Sequence, residues 1–342
     1  VLFRSDLVTA AEAGEVRAWR NEGGRLSPWT IPGLSDQRGW WLGLAAGDFD
    51  EDGRMDLVAA NRGLNFRAEP VDAGRPGMRL AWGAFAGDGT TEALLGAWDP
   101  TEGRWFPRRD WRAVGAALPW VSVAYPSHAL YGRATFDEVL AGKQGEATDV
   151  LVANAASMIF LNRGERFDAR PLPAEAQWSS AHAVAAGDID GDGHIDLVLA
   201  QNDFHHDPET TRQDAGTGLV LRGDGTGRFV PAGPTAAGMH VQGQGRSVAL
   251  ADMDGDGRTD VGMGVHEGAF RLFRNSGGAA GVVMTNMAAG SRVRWRKGDR
   301  AGPVHEARAG NGSNGQDSLR LVVTGMPEGG TLEAKHPARR KP

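Results

Sequence analysis

The chain contains no cysteine and only two tyrosines among its 342 residues. Disulfides and thiol nucleophiles are therefore excluded, and cysteine usage says nothing about the cellular compartment. No run of 18 or more apolar residues occurs, so we expect no membrane span. No basic stripe interleaves with aromatic residues, so we expect no nucleic-acid partner.

Catalytic signatures and long helices are missing as well. The sequence has no G-x-S-x-G, H-E-x-x-H or P-loop motif. The nearest helical pattern, at residues 132–142, is short and interrupted by glycine. Glycine, in contrast, is abundant at 50 residues, and 17 prolines accompany it. This composition favours an all-β protein with many turns and short strands.

One acidic pattern, D-x-D-x-D-G-x-x-D, occurs three times. The copies lie in "AAGDFDEDGRMDLVAAN" (45–61), "AAGDIDGDGHIDLVLAQN" (185–202) and "ALADMDGDGRTDVGMGV" (249–265). Carboxylates this close repel one another unless a cation lies among them or the turn is open to water. Because all three copies share one register and precede an apolar run, we interpret them as cation sites.

The spacing suits calcium, which takes 6–8 oxygen ligands at about 2.3–2.6 Å. Positions 1, 3, 5 and 9 supply carboxylates, position 7 supplies a backbone carbonyl, and glycine at position 6 allows the bend. About three Ca²⁺ ions are predicted, and their six positive charges would cancel the net charge of −6. The predicted ligands are Asp48, Asp50, Asp52, Arg54 and Asp56; Asp188, Asp190, Asp192, His194 and Asp196; and Asp252, Asp254, Asp256, Arg258 and Asp260.

An EF-hand does not fit these loops. An EF-hand requires a bidentate glutamate at position 12 and flanking helices. Position 12 is Ala59, Leu199 or Met263, and the segments that follow, such as "DLVAAN", have the pattern of short buried strands. The sequence therefore predicts strand, calcium loop, strand.

Degenerate copies extend the repeat. In "LAWGAFAGDGTTEALLGAWD" (80–99), Ala84 and Ala86 replace the first two acids, so we predict no calcium between Gly83 and Glu92. "EATDVLVAN" (146–154) keeps only the closing acid and its strand. The closing acids that mark repeats are Asp6, Asp56, Glu92, Asp149, Asp196 and Asp260.

Hairpin patterns such as "SMIFLNRGERFDARPL" and "GLVLRGDGTGRFVPA" lie between these acids. Four strands in each 40–60 residues are typical of propeller blades, whereas a β-helix has a shorter period. We predict a β-propeller of about six to seven blades. The first blade is expected to be incomplete, because "DLVTA" at Asp6 matches the strand that follows each loop.

The loops and their "LVxAN" strands resemble FG-GAP/VCBS repeats, which form calcium-binding β-propellers. "AQNDFHHDPETTRQDAGTGLVLRGDGTGRF" and "RSVALADMDGDGRTDVGM" resemble the propeller of the ASPIC/UnbV group, related to cartilage acidic protein. "GSRVRWRKGDRAGPVHEARAGNGSNGQDSLRLVVTG" is similar to the small module that follows such propellers. The resemblance implies a propeller at 1–278 and an ASPIC/UnbV-like β module at 279–342. His336 stands before Pro337 where that module usually has an aromatic residue.

Two further groups could bind a ligand. The polar loop "NDFHHDPETTRQD" offers a second metal or ligand site or forms a solvated connection. Tryptophan pairs could stack on sugars or pack between blades. The candidates are Asp203, His205, His206, Asp207 and Glu209 in the loop, and Trp40, Trp41, Trp111 and Trp120 among the tryptophans.

The sequence favours a non-enzymatic, exported, calcium-stabilised propeller that acts as an adhesion or ligand-binding scaffold for an unknown protein or glycan. Such loops are usually filled where calcium is millimolar, so we expect an extracellular, periplasmic or cell-surface location. The start "VLFRSDLVTA" suggests a fragment whose export signal lies upstream.

Two alternatives remain open. One is a polysaccharide lyase or glycosidase, which a supply of only two tyrosines, Tyr125 and Tyr131, weakens. The other is a lectin, although the tryptophans do not recur in register.

Overall fold

The computed structural model describes residues 6–65, 77–87, 89–143, 145, 147–204, 212–308 and 317–336. Strands dominate these residues and the helices are short, which confirms the predicted all-β class. The strands are β1 (Leu7–Thr9), β2 (Gly14–Glu15), β3 (Arg17–Glu22), β4 (Arg25–Trp29), β5 (Arg38–Gly39), β6 (Gly43–Gly47), β7 (Asp56–Ala60), β8 (Met78–Gly83), β9 (Glu92–Asp99), β10 (Arg104–Pro107), β11 (Thr148–Val152), β12 (Met158–Asn162), β13 (Phe167–Pro171), β14 (Ala181–Gly187), β15 (Asp196–Gln201), β16 (Leu219–Gly223), β17 (Phe229–Ala232), β18 (Gln244–Ala251), β19 (Asp260–His266), β20 (Arg271–Phe273), β21 (Val282–Met284), β22 (Arg292–Lys297), β23 (Arg300–Ala301), β24 (His305–Glu306), β25 (Leu321–Val323) and β26 (Thr331–Lys335).

The helices are α1 (Trp111–Ala117), α2 (Pro119–Ala124), α3 (His128–Tyr131), α4 (Phe136–Val139) and α5 (Pro234–Ala237), with a 3₁₀ helix at Ala174–Gln177. In the described part of the chain, none of them is long and apolar enough to cross a membrane.

Four antiparallel sheets follow one another as blades. Blade 1 contains β1, β3 and β4, and blade 2 contains β6, β7, β12 and β13. Blade 3 runs from β14 to β17 and blade 4 from β18 to β20. Within the described residues, blade 1 has no counterpart of the strands β6, β14 and β18 that begin the other three blades.

Alternating side chains explain why the blades stack. Successive residues of a strand point to opposite faces of a sheet. Leu57 packs between blades 1 and 2, whereas its neighbour Val58 packs between blades 2 and 3. Leu197 and Val198 likewise face blades 2 and 4. The second strand of a blade is thus buried on both sides, and every residue of β7 and β15 is buried. The result is a propeller-like arrangement.

Blade 2 is interrupted by an inserted unit at residues 77–152. β12 pairs with β7, with Phe160 opposite Leu57, although residues 61–157 separate the two strands. The inserted unit forms its own sheet, ordered β10, β9, β8, β11, and packs it against α1–α4. Its entry and exit are adjacent, because Met78 pairs with Val152.

This unit corrects the repeat count. The prediction of six to seven blades treated Glu92 and Asp149 as the closing acids of separate repeats. In the structure they belong to β9 and β11, which flank β8 in one sheet. The hairpin β12–β13, assigned to the repeat of Asp149, instead completes blade 2. A single sequence shows strands but not which distant strand each one joins.

The C-terminal module comprises β21–β26. β22 pairs with β23, β24 and β26, and β21 pairs with β25. Val293, Trp295 and Val323 lie in its own small core. The last strand, β26, ends one residue before His336, whose ring contacts the Ser291 hydroxyl at 3.3 Å.

Candidate metal centres

The three acidic motifs form loop 2 (48–56), loop 3 (188–196) and loop 4 (252–260), each joining the first two strands of its blade. Their strands close in the same register, with Gly47 opposite Asp56, Gly187 opposite Asp196, and Ala251 opposite Asp260. In each loop the acids at positions 1, 3 and 9 offer oxygens that lie within 4.8 Å of one another. These three-carboxylate clusters are Asp48, Asp50 and Asp56; Asp188, Asp190 and Asp196; and Asp252, Asp254 and Asp260.

The closing acid at position 9 ties the loop to its blade. Asp196 is fully buried, and its two oxygens accept the backbone N–H of Ile189 and of Gly223, each at 2.8 Å. The first donor is position 2 of the loop and the second belongs to the third strand. The equivalent pairs join Asp56 to Phe49 and Asn162 at 2.9 and 2.7 Å, and Asp260 to Met253 and Asn275 at 2.9 and 2.7 Å.

The acid at position 1 accepts hydrogen bonds from backbone N–H groups of the turn that follows it. Asp188 accepts the N–H of Gly191 and of Gly193, both at 2.7 Å. Gly193, at position 6, has a φ of +97°, in the left-handed region where a side chain is strained. The motif therefore needs glycine at this position. Asp48 and Asp252 accept the amide of the corresponding glycine at 3.2 Å.

Position 5 behaves differently from the other acids. The carboxylates at this position lie outside the three-carboxylate clusters. Instead, each accepts the backbone N–H of position 7 at 2.9 Å, as Asp192 does from His194. Asp52 also pairs with Arg54 at 2.7 Å, and Asp256 with Arg258 at 3.0 Å. The geometry thus brings together three of the predicted ligands in each loop.

The clusters have the properties of cation sites. The Oδ1 atom of Asp50 is buried and accepts no hydrogen bond. Buried polar atoms are nearly always partnered, so an orphan oxygen among carboxylates fits a bound cation. The donors are all hard oxygens, which suit Ca²⁺ rather than a softer metal. The residues present therefore fit the predicted ion.

Burial makes the acids at positions 1 and 9 of loops 2 and 3 hard to ionise without a cation. It raises the pKa of Asp48 to about 6 and the pKa values of Asp56 and Asp196 to about 7. It also raises the pKa of Asp188. The backbone N–H donors oppose these shifts, and neighbouring carboxylates add to them.

Three arginines complete the sites, and sequence reasoning missed them. Each comes from the end of the third strand of its blade and pairs with the acid at position 3. Arg163 contacts Asp50 at 2.5 Å, Arg222 contacts Asp190 at 3.2 Å, and Arg274 pairs with Asp254. The signal was a basic residue in "LNRG", "LRGD" and "FRNS", directly beside the residue whose N–H reaches the closing acid.

The degenerate loop of the inserted unit keeps only part of this design. Glu92 at position 9 accepts the backbone N–H of Ala86 at 3.2 Å and the hydroxyl of Thr90. Asp88 lies outside the described residues. The expectation that no calcium binds here stays a prediction.

The second predicted polar site was the loop that begins at Asp203, and the side chain of Asp203 is bonded to other residues of the protein. Asp203 is buried, and its carboxylate accepts from Gln244 at 2.9 Å and from Arg246 at 3.2 Å. His182 lies 3.7 Å away. His205, His206, Asp207 and Glu209 lie outside the described residues.

The tryptophans pack rather than form one platform. Trp41 is buried and meets Phe160 edge to face at 6.0 Å, as the packing alternative describes. The Trp40 ring is covered by the Arg62 guanidinium at 4.4 Å. Trp111 and Trp120 pack against the core of the inserted unit.

Fold and loops together define a propeller-like protein with repeated acidic metal loops. Residues 4–59 and 210–263 match the FG-GAP-like repeat family, so the chain carries FG-GAP-like repeats at these two places. The matched stretches include loops 2 and 4. Loop 3 lies outside them but has the same register and hydrogen bonds. No curated protein sequence matches the chain.

Proposed function

We propose that the protein is a calcium-stabilised propeller that serves as a ligand-binding or adhesion scaffold. The observation that carries the calcium assignment is the threefold recurrence of one three-carboxylate cluster with buried acids at positions 1 and 9, and an orphan oxygen at Asp50 in loop 2. The acids at positions 1, 3 and 9 would hold the ion. Bound Ca²⁺ supplies the positive charge that offsets their burial.

The role of the ions is structural in this proposal. Each cluster lies where the first two strands of a blade meet, and its closing acid also accepts an N–H from the end of the third strand or from just beyond it. An ion at this point fixes three strands relative to one another. Metal binding then contributes directly to the free energy of unfolding.

We propose an extracellular, periplasmic or cell-surface location, because loops of this type fill at millimolar calcium. We also propose that residues 279–342 form an ASPIC/UnbV-like module related to that of cartilage acidic protein. The motif "GSRVRW", which provides β22 and the core residue Trp295, supports this relation.

We propose no catalytic role for the protein. Tyr131 is buried, donates its hydroxyl to the Arg109 carbonyl at 3.2 Å, and packs edge to face with Tyr125. Both tyrosines therefore serve the core of the inserted unit, which gives no support to a tyrosine-based lyase.

Calorimetric titration of the demetallated full chain with Ca²⁺ tests the metal assignment. We expect about three sites, and no comparable binding of Mg²⁺, which demands a tighter octahedral geometry. A chain with no measurable Ca²⁺ binding would overturn the proposal. A glycan-array screen with and without chelator then tests the ligand class, since calcium-dependent signals would identify a glycan and their absence would favour a protein ligand.

A further inference from the structure

The C-terminal module lies directly on all three acidic loops. The glycine at position 6 of each loop faces a different part of the module. A methyl group placed on Gly193 would come within 2.8 Å of Gly325, and one on Gly257 within 3.0 Å of the Gly281 carbonyl. On Gly53 it would lie 3.5 Å from the Arg294 guanidinium. Three loops from three blades thus form one platform for the module.

Two hydrogen bonds run from the module into the clusters themselves. The backbone N–H of Val304 donates to Asp48 Oδ2 at 2.9 Å. The hydroxyl of Thr324 donates to Asp188 Oδ2, and Thr324 is 4% exposed. Both acceptors stand at position 1 of their loop, so the module contacts members of the three-carboxylate clusters of loops 2 and 3.

Loop 4 is joined to the module through backbone groups. Gly281 donates its N–H to the Gly257 carbonyl at 2.8 Å. Leu250, in the strand before the loop, donates its N–H to Asp317 at 2.8 Å and accepts from the Ser318 N–H at 3.2 Å. The docking of the module on the propeller therefore depends on the conformation of all three loops.

We infer that the module and the metal sites are one coupled assembly. In it, Thr324 supplies an additional oxygen ligand to the ion of loop 3, and bound calcium holds the module on the propeller. This inference rests on the proposed calcium binding. Ca²⁺ takes 6–8 oxygens, and the three acids of loop 3 leave coordination positions for a neutral hydroxyl. Thr324 already contacts one of those acids, so its oxygen is within reach of an ion that the acid binds.

Coupling of this kind is reciprocal. If the module contributes to calcium binding, calcium must contribute equally to the docking of the module. Removal of the ions leaves buried carboxylates that repel one another, which loosens the position-6 turns on which the module sits. Chelation should then expose the interface at Gly281, Val304 and Thr324.

A matched pair of threonine variants tests the inference in the full chain. Thr324→Val keeps the branched shape and removes the hydroxyl, whereas Thr331→Val removes an exposed hydroxyl of the same module whose partner is the Arg296 carbonyl. We expect Thr324→Val to weaken one of the calcium sites on the order of tenfold, the usual effect of losing a supporting ligand. Thr331→Val should bind calcium like the parent, and Thr324→Ser, which keeps the hydroxyl, should restore the affinity.

Hydrogen exchange of the parent supplies the second readout. With calcium, the amides of Gly281 and Val304 should be protected, and chelator should remove this protection while the strands of the inserted unit keep theirs. Equal calcium affinities for Thr324→Val and Thr331→Val, together with unchanged protection in chelator, would overturn the coupling and leave the calcium sites standing. A parent that binds no calcium would overturn both proposals. Circular dichroism of each variant shows that the comparison is between folded chains.

Discussion

The acidic loops of the blades and the loop between β8 and β9 of the inserted unit have similar sequence patterns and connect neighbouring strands in the same way. Their side chains nevertheless do different chemistry. Loops 2, 3 and 4 each gather three carboxylates, of which those at positions 1 and 9 are buried, and lie under the C-terminal module. The turn of the inserted unit has alanine at positions 1 and 3, and its Glu92 accepts a backbone N–H in an exposed setting. The closing acid alone thus suffices to hold a hairpin. A metal site requires the acids at positions 1 and 3 as well.

Removal of calcium should produce the largest difference in stability between the blades and the inserted unit. An ion bound only by the native state adds about 2.7 kcal/mol for each independent site at a free concentration 100 times Kd. We expect chelator to lower the Tm of the chain steeply in calorimetry. Hydrogen exchange should locate the loss in β7, β15 and β19, with β9 unaffected. Equal loss of protection in β9 would show that the comparison does not hold.

A rise in pH should change the free energy of unfolding in opposite directions for the calcium-free and the calcium-bound protein. Without calcium, the raised pKa values of Asp48, Asp56 and Asp196 mean that the native state binds more protons than the unfolded state between about pH 4 and pH 7. The free energy of unfolding therefore falls as pH rises through this window. With saturating calcium it should rise, since protons compete with the ion. Urea denaturation at pH 5 and pH 8 in both states measures the sign, and parallel trends would contradict the assignment.

Removal of the closing acid should destabilise the blade more than the inserted unit. Asp196→Ala leaves two part-buried N–H groups without acceptors, which costs about 3 kcal/mol. Glu92→Ala removes only exposed hydrogen bonds, including those from Ala86 and Thr90, and should cost less than about 1 kcal/mol. Both variants are measured in chelator, so that metal loss does not contribute. Similar values would mean that burial does not distinguish the two turns.

The acids within one loop should also differ in how much each contributes to calcium affinity. Asp190 belongs to the three-carboxylate cluster, whereas Asp192 accepts the His194 N–H outside it. We expect Asp190→Asn to weaken the calcium affinity of loop 3 by roughly 100-fold and Asp192→Asn by roughly tenfold, the effect of a supporting group. Calorimetric titration gives both constants. The reverse order would restore position 5 as a principal ligand.

The smallest effect concerns position 4. Glu51 has a φ of +58°, where loops 3 and 4 have glycine at +76° and +81°. Glu51→Gly should relieve about 1 kcal/mol of left-handed strain. It also removes the contact between Glu51 and His194 at 2.5 Å. The gain should therefore appear most clearly in a His194→Ala background, and urea denaturation of the double-mutant cycle measures it. Destabilisation in that background would show that loop 2 is not strained.

Local patterns in the sequence predicted the local structure well. The spacing of Asp48, Asp50 and Asp56 predicted a strand, loop, strand unit with acids on one side, and the structure brings these three together. The pairing of β7 with β12 could not be predicted, because the strand at Met158 has the same apolar pattern whichever neighbour it joins. The arginine partners of the acids and the docking of the C-terminal module on the loops could not be predicted for the same reason. They depend on contacts between segments whose proximity only the folded chain creates.

The adjacency of Met78 and Val152 has a consequence for the order in which the chain folds. Bringing β7 to β12 requires closing a loop over residues 61–157, compared with residues 202–218 between β15 and β16. For a flexible chain, this longer closure costs about 1.5 kcal/mol more conformational entropy. A nascent chain that folds the inserted unit first shortens this loop to residues 61–76 and 153–157, a length similar to that of the 202–218 connection. Blade 2 would then nucleate late, after its own insertion, while blade 3 assembles from contiguous sequence.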